Sequence, residues 1–430
     1  MKDLLSRMDG VQTPIIPVVG QLIKANPGTI SLGQGIVSYY PPQEAIESLS
    51  LFLANPKNHQ YQSVAGISPL LAVIRQKLAE DNRIEISDKQ AIFVTAGSNM
   101  AFMNAILAIT SPGDEIILNT PFYFNHEMAI KMADCQVILV ATDKNYQLRP
   151  AAIEEAITAK TKAVVTISPN NPTGVVYPEN TLREVNRICQ KKGIYHIHDE
   201  AYEYFTYNHA RHFSPAAIVD SESWTISLFS LSKAYGFASW RIGYMVVPEH
   251  LSEAINKIQD TILICPPVVS QYAALGALQV GKSYPLEQLK TISQVREICL
   301  NALESIRDIC DVATAEGAFY FFLKITTDKN DFQLVKTLIE QQRVAVLPGS
   351  TFGITEGCYL RLAYGALSPE TALTAVERLV KGLRYFSQWF LRINTSFLSW
   401  FLLYHSLYLQ DNDSPKPESL YLTIKITAIR

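Results

Sequence analysis

At 430 residues the chain is too long for one small core and suggests two domains, or one large and one small, and its 48% hydrophobic and 18% charged residues fit a soluble globular protein. A formal net charge of −3 gives no ground for nucleic acid or an anionic membrane as the main partner. Any anion site must therefore be local, built from a few placed cations and amides.

Six cysteines, Cys135, Cys189, Cys265, Cys299, Cys310 and Cys358, show no paired spacing. They argue against a disulfide framework or a zinc site and fit a reducing compartment. The opening MKDLLSRMDG carries no apolar run of the kind a secretory signal needs, so a cytoplasmic protein is expected.

In chain order, residues 1–45 form an arm expected to fold back onto the smaller domain. Residues 46–283 are predicted to be the large domain. Within it, short β-rich runs at 92–95, 115–119, 136–140, 163–167, 194–198, 225–230 and 243–247 alternate with helical spacing such as 100–109, 151–157 and 182–190. Strands alternating with helices predict an α/β fold with a mostly parallel sheet covered on both faces. Ligands of such sheets bind beyond the carboxyl ends of the strands. A smaller α+β domain is predicted over 284–385: a long helix at 286–308, a strand at 318–325, a helix at 332–340, strands at 344–347 and 359–362, and a final helix at 369–383.

The tail, 386–430, is atypical. Its stretch 386–409 is rich in Phe, Trp, Leu and Tyr, but Ser387, Gln388, Arg392, Asn394, Thr395 and Ser396 interrupt it. A span needs about 20 continuous apolar residues, and 397–409 is too short. An extra packed segment or an unnatural extension of the coding sequence is favoured over contact with a membrane surface.

Four segments carry the chemistry. SLFSLSKAYGFASWRIGY, 227–244, ends a strand at Ser230, Ser232 and Lys233, with Arg241 eight residues after the lysine. A lysine whose pKa is lowered by burial and neighbouring cations is a carbonyl nucleophile, and hydroxyls with an arginine can hold a phosphate. The same segment also reads as a surface Ser-Lys turn. ISPNNPTGVVYP, 167–178, is a strand end followed by Asn171. HIHDEAYEYF, 196–205, sets Asp199 at the end of an apolar strand with Tyr202 three residues on. A buried carboxylate there needs a partner, and a protonated pyridine nitrogen is one. TAGSNMAF, 95–102, is a strand, a glycine turn and a helix start, whose free amides and dipole favour a phosphate.

Together, in order and approximate spacing, SxxNPTG, DExY and SLSK followed by arginine resemble the fold type I enzymes dependent on pyridoxal 5′-phosphate (PLP). They are similar in particular to the class I (class I/II) aminotransferases related to aspartate, aromatic and kynurenine aminotransferases, over roughly residues 25–385. The resemblance implies a Schiff base on Lys233, Asp199 against the pyridine nitrogen, and Tyr202 and Asn171 at the ring oxygen. It implies a phosphate cup of Ser98, Asn99, Ser230, Ser232 and Arg241, with Tyr123 stacked on the ring or else an ordinary aromatic of its loop. Lys233, Asp199 and Tyr202 would be the catalytic residues. Arg361, in YLRLAYG, resembles the clamp for the substrate α-carboxylate, and Gly35, in SLGQGIVSYYPP, the glycine whose backbone approaches the substrate. Tyr61, in YQSVAG, resembles a tyrosine that reaches the partner subunit's phosphate, so a homodimer with shared active sites is implied. No metal is expected. His196, His198 and His126 lie near the motifs, and the first two are expected to be packed or near-site residues and not ligands.

The sequence departs from the family in two places. Val37-Ser38 stand where Pro-Asp is usual, followed by Tyr39 and Tyr40, and Leu71 replaces a common arginine. The first departure bears on substrate identity; Tyr39, Tyr40 and Tyr61 predict an aromatic entrance and an aromatic or large apolar donor. The implied reaction moves the amino group of an L-amino acid to a 2-oxo acid by ping-pong kinetics. A PLP lyase or synthase, by β-elimination or of the aminocyclopropane-carboxylate kind, stays open as the alternative. A regulator's effector domain is disfavoured because about 45 residues leave no room for an N-terminal DNA-binding module.

Overall fold

A computed structural model describes residues 6–386. The arm begins with helix α1 (Ile15–Ala25) and a short strand β1 (Ile30–Ser31), then helices α2 (Gln43–Ala54) and α3 (Ser68–Lys77). From there strands and helices alternate: β2 (Gln90–Thr95), α4 (Ser98–Ile109), β3 (Glu115–Thr120), α5 (Phe124–Met132), β4 (Gln136–Ala141), α6 (Pro150–Ala156), β5 (Thr161–Ile167), α7 (Glu179–Lys192) and β6 (Tyr195–Asp199). Then come β7 (Thr225–Ser230), the one-turn helix α8 (Leu231–Ala234) and β8 (Gly243–Pro248).

These strands make one seven-stranded sheet in the order β2-β8-β7-β6-β5-β3-β4. β3 through β7 run parallel, and β8 is antiparallel to both its neighbours. Reversal of β8 puts its first residue, Gly243, at the same edge as the carboxyl ends of β2, β5, β6 and β7. Thr95, Ile167, Asp199, Ser230 and the residues just before Gly243 therefore share one rim.

Alternation along the strands feeds two cores. Ile116 and Leu118 pack with Phe102, Ala105 and Ile130 on one face, whereas Ile117 packs with Val164, Leu182 and Val185 on the other. Helix α7 shows how local chemistry bounds an element. Pro178 precedes it, Glu179 sits in its first turn, Lys191 and Lys192 in its last, and Gly193 closes it at φ +67°.

Beyond β8 lie α9 (Ser252–Leu263), α10 (Val268–Val280) and the long α11 (Ser283–Glu304), then β9 (Cys310–Val312), β10 (Tyr320–Ile325), α12 (Asp331–Thr337), β11 (Val344–Ala345), β12 (Leu347–Pro348) and β13 (Cys358–Ala363). The order β12-β13-β10-β9 makes an antiparallel sheet, and β1 pairs with β11 in parallel. The single strand predicted at 344–347 is thus two strands in two sheets, because the chain leaves the partner offered by the arm for β13 at Val346. The helix predicted at 332–340 ends its regular part at Thr337 and continues as a wider turn, Leu338–Gln342.

Met1–Gly382 form one unit; a second starts at Leu383, of which only 383–386 are described, the end of a helix spanning 369–386. Apart from residue 386, the tail lies outside the described residues. Among these, no helix is long and apolar enough to cross a membrane, and all six cysteines are free.

Candidate active site

A cavity of about 470 Å³ opens at the carboxyl rim of the large sheet, and every predicted site residue except Tyr61 lines it. Lys233 comes from the single turn of α8, whose start is held by the Ser230 hydroxyl accepting the Ser232 amide at 3.2 Å. Burial and the Arg361 and Arg241 guanidinium groups lower the Lys233 ammonium pKa to about 8, against an opposing pull from Asp199.

Arg241 precedes β8 with φ +50° and donates from Nη1 to Ala238 O at 2.8 Å. Its Nη2 occupies the space where a side chain on Gly97 would begin: a Cβ there would lie 2.4 Å from it. Gly97, at φ +83°, caps α4, so the guanidinium sits against a helix start whose first amides have no intrahelical acceptor. With Ser98, Ser230 and Ser232 lining the same cavity, these groups could together hold a doubly charged phosphate.

Asp199 ends β6 buried, its Oδ1 accepting the Ala201 amide at 3.0 Å. Its Oδ2 lies 3.2 Å from His126 Nε2. The His126 ring stacks on Phe102 at 3.9 Å between centroids, and Nδ1 finds no partner. Tyr202 shares a 2.6 Å hydrogen bond with Tyr320 through their hydroxyls, and Asn171 Nδ2 donates to Tyr202 Oη at 3.4 Å. Burial raises the pKa of both tyrosines, so they stay protonated donors. Tyr123 lines the cavity half-buried, its hydroxyl accepting from Asn125 Nδ2 at 2.7 Å and facing Asn99 Oδ1 at 3.5 Å.

Arg361, on β13, is buried with Nη1 on Asn171 Oδ1 at 2.9 Å and Nη2 on the Gly33 carbonyl at 2.7 Å. Its guanidinium lies over the rings of Tyr320 and Phe352, 4.6 and 5.0 Å from the centroids, and Nε has no partner. Both hydrogen bonds go to neutral acceptors, which leaves a cation at the cavity wall that could receive a carboxylate. Gly35 is close to obligatory, since a Cβ there would meet Tyr320 Oη at 2.3 Å.

Other sequence expectations fall elsewhere. Tyr61 is 78% exposed and outside the cavity of its own chain. Tyr39 and Tyr40 do not line the cavity: Tyr39 turns inward to the carbonyl of Lys233, where its hydroxyl finds an acceptor, and Tyr40 stays exposed. Leu71, on α3, packs half-buried against the core. His196 and His198 are buried on Thr166 Oγ1, at 2.8 and 2.6 Å, and burial pushes the His196 pKa down to about 3.

Sequence reasoning missed Tyr320 and gave His126 no role. It also missed Pro14 and Ile16 of the arm, Ile36, Phe124 and Asn125, all of which line the cavity. No local motif surrounds Tyr320; only its alternation with Phe322 on a predicted strand offered a sign.

A profile of the family described as "Aminotransferase class I and II" matches residues 27–379. An aromatic aminotransferase of Arabidopsis thaliana is 33% identical over 88% of this chain and 96% of its own length. A probable aspartate/prephenate aminotransferase of Aquifex aeolicus is 34% identical over 82% of this chain and 91% of its own. Among solved structures, a single mutant of aspartate aminotransferase from Thermus thermophilus superposes with a TM-score of 0.81 at 28% identity, covering 89% of this chain and all of that one. The aromatic aminotransferase from Pyrococcus horikoshii gives 0.78 at 29% identity, over 85% of this chain and 99% of that one. With this fold, fold type I, and this match over most of its length, the chain belongs to the class I and II aminotransferases and is an enzyme that transfers amino groups.

Proposed function

We propose that this aminotransferase holds pyridoxal 5′-phosphate in the cavity around Lys233 and uses it to move the amino group of an L-amino acid to a 2-oxo acid in two half-reactions at one site. One observation carries the reading: a lysine with its amine pKa lowered to about 8, a buried carboxylate and two arginines with different neighbours converge on a single cavity. Bound there, the cofactor would supply an aldehyde that condenses with amines and a ring that draws electrons from Cα.

The residues fit it. Arg241, Ser98, Asn99, Ser230 and Ser232 would hold the phosphate, Asp199 the ring nitrogen, and Asn171 and Tyr202 the ring oxygen. His126 keeps the Asp199 carboxylate oriented. Arg361 receives the substrate α-carboxylate, its own direction set by Asn171 and Gly33. Lys233 Nζ, neutral above about pH 8, is the base that can take and return the Cα proton. Gly35 lets the arm run close enough to cover the substrate.

The donor class follows from what is left. Lys233, Arg241 and Arg361 are the cations of this chain in the cavity lining, and Pro14, Ile16, Ile36 and Phe124 supply much of the rest. That supports an aromatic or large apolar donor, though not through the tyrosines at 39, 40 and 61. A homodimer with shared sites belongs to the same reading, supported by exposed Tyr61 and exposed Leu51 and Leu53 on α2. So does the division into an arm, 1–45, a large domain, 46–283, and a small domain, 284–385. The free cysteines support a cytoplasmic setting.

Visible absorption of the PLP-loaded protein tests the function, with single amino acids added in the absence of an acceptor. Transamination requires that the band of lysine-bound cofactor disappear and return on addition of a 2-oxo acid. A persistent band with release of ammonia overturns it in favour of a lyase. No band after PLP is supplied overturns the cofactor reading.

A further inference from the structure

The one-turn helix that carries Lys233 closes with the Gly236 amide donating to Lys233 O at 3.3 Å, and that carbonyl has room for a second donor. One arrives from a distant segment: Tyr39 Oη donates to Lys233 O at 2.7 Å and approaches Ala234 O at 3.4 Å, 194 residues away in sequence from the lysine. The contact is built in from both sides. Gly236, at φ +71°, is close enough that a Cβ would meet the Tyr39 carbonyl at 2.8 Å. Tyr284 packs its ring edge against Tyr39, centroids 6.0 Å apart, and its hydroxyl donates to Tyr40 O. Burial and the neighbouring Tyr284 raise the Tyr39 phenol pKa, so the hydroxyl remains a donor wherever the enzyme works.

The same segment is bonded to Arg361 at its other end. Gly33 O accepts from Arg361 Nη2 at 2.7 Å, Leu32 O accepts the Ala363 amide at 2.7 Å, and the Ser38 amide donates to Gly365 O at 3.1 Å. Residues 33–40 therefore run as a strap from the strand of Arg361 to the turn of Lys233. These two side chains must act on one amino acid, and their spacing depends on a backbone that neither controls alone.

We propose that Tyr39 is a positioning residue for Lys233: its hydroxyl, carried by the 33–40 strap, holds the lysine turn in register with Arg361. The inference rests on the function proposed above and concerns a residue that touches neither substrate nor cofactor. Nζ hangs from the backbone of a single helical turn, so a shift of that turn moves the reacting amine directly. Misplacement of a reacting group by about 1 Å can cost a factor of about 100 in rate.

Tyr39→Phe is the test, because it keeps the ring against Tyr284 and removes only the hydroxyl. The apo-protein is mixed with PLP and covalent capture is followed by absorbance, the amine condensing with the aldehyde and losing water. The kcat, donor KM and thermal midpoint are measured alongside. The capture rate and kcat are expected to fall about tenfold. Donor KM stays within about twofold, since Arg361 keeps its bonds to Asn171 and Gly33, and the thermal midpoint stays near that of the wild type. Capture and kcat unchanged in the variant overturn the proposal. Failure of the wild type to capture PLP at all sinks the cofactor reading instead, before any variant is compared.

Discussion

Gly97→Ala isolates the phosphate cradle from the rest of the site. Gly97 has φ +83° and ψ 166°, a region populated almost only by glycine, so an alanine there costs about 1–3 kcal/mol in backbone strain. Its methyl group would also fall 2.4 Å from Arg241 Nη2, and the guanidinium must leave. A hydrogen bond to a charged group is worth about 1.5–3 kcal/mol. At about 1.4 kcal/mol per factor of ten, losing one raises the PLP dissociation constant about 10- to 100-fold. Equilibrium titration of apo-protein with PLP measures this, with urea denaturation of the same samples for the strain. Gly113→Ala is the control: Gly113 also has positive φ, +85°, but no atom lies within 4 Å of its Cβ position. Both variants should lose stability, and only Gly97→Ala should lose cofactor. A Gly97→Ala protein that binds PLP as tightly as the wild type would refute the phosphate role given to Arg241 and the start of α4.

Four further outcomes are expected. Lys233→Ala should bind PLP without an adduct that borohydride can fix; a fixed adduct elsewhere would move the cofactor lysine. In the apo-protein, capture of PLP should quicken as pH rises through about 8 and then level off, as the Lys233 amine loses its proton; a midpoint near the ordinary lysine value of 10.5 would contradict the site's electrostatics. The same depressed pKa means the unfolded chain holds more protons than the folded one between about pH 8 and 10.5, so this group's contribution to apo-protein stability rises with pH across that window. Arg361→Lys should raise donor KM about 10- to 100-fold and leave the absorption of bound cofactor unchanged, because an ammonium cannot make the paired bonds of a guanidinium; an unchanged KM would exclude the carboxylate role.

Much of this was legible in the linear order of residues. Strand ends reveal themselves locally: apolar runs stop at Asp199, Ser230 and Ile167, and a parallel sheet gathers such ends on one rim whatever the helices between them do. That rim, together with the resemblance to the PLP-dependent family, is why Lys233, Asp199, Asn171 and the 95–102 turn read as one site in the sequence. Helix bounds were less exact where a wider turn prolongs α12, and the run at 344–347 hid a change of partner from β1 to β13.

What only the tertiary structure decided is how side chains far apart in sequence complete one another. His126 on α5 meets Asp199 on β6, Tyr320 on β10 meets both Tyr202 and Gly35, and the arm brings Pro14, Ile16 and Ile36 to the cavity. Tyr39, which the sequence suggests for an entrance, instead donates to the carbonyl of Lys233. Periodicity and turn chemistry act over a few residues and so can be read in order. The partners of a buried polar group are chosen by packing between elements, where an unmet hydrogen bond is costly and the nearest acceptor can come from anywhere in the chain.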